Sequence, residues 1–74
     1  MNPAEIDKGL ETIAESMRLE ELSDDEVLDL LPKIVNYRSH VGVDAFKYFC
    51  GLWKAIDRED FEQAAIIRQK LLEL

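Results

Sequence analysis

The sequence predicts a small all-α domain of four helices, the last two forming an antiparallel hairpin, and three observations carry that reading. Apolar residues recur at steps of three and four along most of the 74 residues, the spacing of one helix face. Three places carry helix-start chemistry: Asn2-Pro3 with Glu5, Ser23 with Glu26, and Asp60 with Gln63. Nothing strand-like competes, because Val41-Gly42-Val43 is too short and no alternating β-branched run exists. No linker, repeat or low-complexity segment divides the chain, so residues 1–74 read as one domain.

The first helix is expected over residues 2–22. Asn2 caps it, Pro3 suits its first position, and Ile6, Leu10, Ile13 and Met17 form a stripe that Ala14 widens. Gly9 interrupts the pattern at a cost of about 1 kcal/mol relative to alanine, so this helix leans on tertiary contacts. Ser23-Asp24-Asp25-Glu26 opens a second helix over 24–39, whose Val27, Leu28, Leu30, Leu31, Ile34 and Val35 suit burial on more than one side. Pro32 lies inside it, removes a backbone donor and crowds the carbonyl four residues back. The expectation is a kink there, or a break into 24–31 and 33–39. Gly42 looks like the stop, with the freedom to take a positive φ.

The third helix is expected over 44–57, with Asp44 as its cap. Only Lys47 and Lys54 interrupt Ala45 to Ile56, and a helix apolar nearly all round is central. The fourth, over 60–73, carries the stripe Ala64, Ile67, Leu71 and Leu74. A helix this short is marginal alone in water. The short link Arg58–Glu59 folds it back on the third helix, which becomes its packing partner.

Composition narrows the functional classes. One cysteine excludes an internal disulfide, and Cys50 with His40 is too small a set for structural zinc. Stability must come from helix packing or from oligomerisation, since one core of this size supplies about 3–5 kcal/mol. The polar, acidic start lacks a signal-peptide pattern and no run reaches the length of a membrane span, so the expectation is a soluble cytoplasmic protein without a membrane role. The net charge of −7 sits wholly in residues 1–26, where nine acids meet only Lys8 and Arg18. Residues 27–74 are balanced, so direct nucleic-acid binding is disfavoured. No catalytic constellation stands out, and Asp24, Asp25 and Glu26 read as cap and dipole partners rather than a metal site. The reading is therefore not an enzyme, with no cofactor and no metal. Cys50 reads as a core cysteine and Trp53 as a buried anchor of the hairpin.

Residues 52–74, LWKAIDREDFEQAAIIRQKLLEL, resemble the UVR motif shared by the UvrB and UvrC subunits of bacterial excision repair. The matching positions are Leu52, Ala55, Asp60-Phe61-Glu62, Ala64-Ala65, Arg68, Leu71 and Leu74. The chain departs from the pattern at Gln69, where an aspartate is expected, and in the aromatic character of Phe46, Tyr48, Phe49 and Trp53. The resemblance covers about a third of the chain. It implies a helical hairpin that packs against another hairpin, as a homodimer or between two proteins. The motif also occurs in adaptor and regulatory parts of bacterial protein quality control, so it implies an interaction module more firmly than a repair role.

The expected function is a non-catalytic protein–protein interaction module in a bacterial complex, binding a protein partner or a second copy. Its contact residues would be Phe61, Ala64, Ala65, Ile66, Ile67 and Arg68. With the internal partner in the third helix, the narrower edge for an outside molecule is Phe61, Ala65, Ile66 and Arg68. The alternative is an acidic inhibitor that mimics nucleic acid through the carboxylates of the first helix, Glu11, Glu15 and Glu20 among them.

Overall fold

In the computed structural model, which describes Met1–Leu74, four helices follow one another with almost no connecting chain: α1 (Pro3–Ser16), α2 (Asp24–Val41), α3 (Val43–Asp57) and α4 (Phe61–Leu72). A 3-10 turn, Leu19–Glu21, links the first two. The all-helical, four-helix expectation stands. α1 and α3 each touch all the other helices, and α4 packs most extensively on α3 as its hairpin partner.

The caps explain most of the boundaries. The Asn2 side chain accepts from the Glu5 N–H at 2.8 Å and donates to Glu5 Oε1 at 2.9 Å. Ser23 and Glu26 form a full capping box, the Glu26 N–H donating to Ser23 Oγ at 3.3 Å and the Ser23 N–H to Glu26 Oε1 at 3.4 Å. Asp60 accepts from the Gln63 N–H at 3.3 Å and starts α4.

Three expectations need correction. The first helix stops at Ser16, six residues short of the expected end at 22. Its last turn holds no basic residue, and continuing would place Glu20 and Glu21 at the negative end of the dipole. Instead the chain tightens through the Arg18 N–H to the Glu15 carbonyl, and Leu19 and Leu22 turn partly inward. Second, of the kink or break expected at Pro32 the break is excluded, because α2 is one 18-residue helix that runs on past Ser39 to Val41. Pro32 and Leu28, whose carbonyl lacks its usual donor, both lie on the exposed side, where water can satisfy that oxygen. Third, Asp44 does not cap α3. Gly42 alone separates α2 from α3, at φ 90° and ψ 160°, and Asp44 falls within the first turn.

The α3–α4 link is a Schellman turn. The Asp60 N–H donates to the Ala55 carbonyl at 2.8 Å and the Glu59 N–H to the Ile56 carbonyl at 3.0 Å. Glu59 takes the positive φ, 59°, that this motif usually gives to glycine.

The core is small and wholly apolar. Ten residues are buried, and Ile6, Ile13, Ala45, Phe49, Leu52, Ala55, Ala64 and Leu71 form one cluster around the fully enclosed Phe49 ring. The molecule measures 36 × 26 × 18 Å, and its thinnest dimension is under two helix diameters. Few positions can therefore be enclosed on all sides. Every side-chain hydrogen bond spans three or four residues of one local segment, so apolar contact between helices carries the tertiary structure. α2 contributes only Leu30 to the buried set.

Candidate interaction surface

α4 divides the six residues singled out in the sequence. Ala64 is buried against its own chain, and the Ile67 side chain reaches over Gly51 of α3. Small residues on both helices permit this close approach: Gly51 of α3 under Ile67, and Ala55 with Ala64 in the core. These two of the six are thus occupied within the domain. The other four, Phe61, Ala65, Ile66 and Arg68, are exposed.

Phe61 is the most conspicuous of them, at 65% exposure in the first turn of α4. Ala65, Arg68 and Leu72 follow it at steps of four, three and four, on one stripe beside the buried one. That stripe combines an aromatic ring, a small platform, a guanidinium and a half-buried leucine. Aromatic and arginine side chains flanking small ones are what hot spots are made of. Ile66 stands apart, 49% exposed, on the far side of the helix.

Two side chains differ from the sequence reading. Trp53 is half-buried rather than enclosed: it packs on the core and borders a shallow groove between α1 and α3 with Asp7, Leu10, Glu11, Ala14 and Ile56. Cys50 is also half-buried at the edge of the core. Burial pushes its thiol up, and Lys54 only partly offsets this, which disfavours the reactive thiolate. His40 is exposed in the last turn of α2, near Met1, Glu5, Lys8 and Tyr37. No group of three or more His, Cys, Asp or Glu side chains converges as a metal site would require.

Tyr37 joins α2 to the core through a tilted ring contact with Phe49, centroids 5.8 Å apart. Burial, then the nearby Glu5 charge, raises its hydroxyl pKa. A raised pKa means that the fold favours the neutral phenol, so this contribution is complete at neutral pH and is lost only in strong alkali. Lys70 lies over the Tyr48 ring, 5.8 Å from its centroid, a second tie between α4 and α3.

Sequence reasoning missed the outward face of α2. Leu28, Leu31 and Val35 are 65%, 43% and 60% exposed, although their density had suggested burial on several sides. The exposed Pro32 between them was the available signal, since a proline within a helix is best tolerated on its solvent side. No helix in the molecule is long and apolar enough to cross a membrane. Compared with family models, with curated proteins and with solved structures, the chain matches none of them.

Proposed function

We propose that the chain is a protein–protein interaction module of a bacterial complex, non-catalytic, with the outer edge of α4 as its contact surface. The observation that carries this is Phe61, two-thirds exposed and aligned with Ala65 and Arg68, on a helix whose other apolar stripe is already satisfied by α3. Phe61 shares one exposed edge with Ala65 and Arg68, and an aromatic ring beside a guanidinium on such an edge suits contact with another molecule. The resemblance of residues 52–74 to the UVR hairpin agrees with that use, with a partner's helical hairpin as the occupant. In this role Phe61 inserts between side chains of the partner, Ala65 lets the backbones approach, and Arg68 meets a carboxylate at the rim.

The test is affinity capture from source-cell extract with the native chain and with a Phe61→Ala/Arg68→Glu variant, quantified by mass spectrometry. Both positions are exposed, so the variant is expected to keep its helical circular dichroism while losing its specific partners. An unchanged set of captured proteins would overturn the proposal.

A further inference from the structure

The exposed apolar face of α2 lies apart from the α4 edge, and its register specifies what covers it. Asp24, Leu28, Leu31, Val35 and Arg38 follow one another at steps of four, three, four and three. That is a single heptad seam along the helix. Its three inner members are apolar and exposed, and its two ends carry opposite charges. The inward residues of the same helix, Val27, Leu30, Ile34, Tyr37 and Val41, are the ones that lie against the domain. The seam is therefore free along its whole length.

We propose that this face is a homodimer interface, in which α2 packs antiparallel on α2 of a second copy. Leu31 is the midpoint of the seam, seven residues from each charged end. A two-fold axis at Leu31 sets each Leu31 against its counterpart and brings Leu28 of one copy toward Val35 of the other. It also places Asp24 of each copy beside Arg38 of the other, twice, and on the same flank of the contact. A parallel pair would instead set Asp24 against Asp24 and Arg38 against Arg38. The charges thus select both the orientation and the occupant: this surface is complementary to itself. Antiparallel helices also align opposite dipole ends. Neither Pro32 nor the capping box obstructs the approach, because both leave α2 continuous from Asp24 to Val41.

The contact is short. Three apolar side chains per copy place it below about 1,200 Å² of buried surface, so dissociation in the micromolar range is expected. The complete chain should sediment as a concentration-dependent monomer–dimer equilibrium. Leu31→Glu should weaken dimerisation about 100-fold or more, by burying two like charges at the axis. Asp24→Arg alone should weaken it about tenfold, and Asp24→Arg/Arg38→Asp should restore it, because the reversed ends still match. In a Cys50→Ser background, Leu31→Cys should form an interchain disulfide under mild oxidation. Circular dichroism checks that each variant remains folded. Any of three results would overturn the proposal: a monomer at high micromolar concentration, a dimer indifferent to Leu31→Glu, or a dimer abolished by Phe61→Ala while Leu31→Glu leaves it intact.

Discussion

α3 meets a glycine-mediated neighbour on two sides, and the two glycines do opposite amounts of structural work. Gly9 of α1 lies directly on the core: a β-carbon there would come within 2.5 Å of Phe49 Cζ and would also collide with the Tyr37 hydroxyl. Gly51 of α3 lies under α4, where a β-carbon would meet only the terminal Ile67 Cδ1, at 3.3 Å. Phe49 is fully enclosed and cannot retreat, whereas the end of a half-buried isoleucine can. The α1 seam is thus set by an absent side chain, and the α4 seam by small side chains with room to adjust. A glycine inside a helix is costly only where nothing needs its absence of volume.

The largest expected effect breaks this contrast at its stronger side. Gly9→Ala should destabilise the domain by about 2–3 kcal/mol, overpacking outweighing the gain in helix propensity. That is much of what so small a core supplies, and urea unfolding followed by circular dichroism measures it. Next comes the link of the α3–α4 pair. Glu59→Gly removes the cost of a left-handed side-chain-bearing residue and should stabilise by about 0.5–1 kcal/mol, seen as a higher urea midpoint. The smallest change tests the weaker seam. Gly51→Ala should fall within about 0.5 kcal/mol of the native chain, the propensity gain offsetting a small shift of Ile67. A loss from Gly51→Ala as large as that from Gly9→Ala would erase the distinction between the seams.

The outer surfaces show a related difference. α4 offers an aromatic and a cationic side chain on a narrow edge, while α2 offers a broader aliphatic seam with charged ends. If both proposals hold, Leu31→Glu disperses the dimer and spares partner capture, and Phe61→Ala does the reverse. One molecule would then present two copies of the α4 edge.

Much of the fold was legible in local chemistry. Asn2, Ser23 and Asp60 announce their helices because a cap is decided within four residues of chain. The hairpin was readable because a two-residue link between helices leaves an antiparallel return as the geometry that buries both stripes. Residues 17–22 misled because Met17 continues the stripe of Ile6, Leu10 and Ile13, while the dipole disfavours the acids that follow it. Within the candidate surface, sequence marked Phe61, Ala65, Ile66 and Arg68 as the outer edge and left Ala64 and Ile67 to the side that packs on the third helix. Adjacent residues stand about 100° apart on a helix, so once the short link made the third helix the partner of the Ala64 stripe, Ala65 fell outside it.

Local chemistry makes the chain four helices, sets where three of them begin, and confines the net negative charge to the first third. Those outcomes rest on hydrogen bonds, dihedral preferences and charges within a few residues of one another. Tertiary structure alone decided that Gly9 seats the Phe49 ring, that Trp53 lies at a groove rather than in the core, and that Leu28, Leu31 and Val35 remain outside. Periodicity identifies an apolar face but not its partner. In a domain 18 Å thick, there is not enough interior to enclose every face the sequence makes apolar.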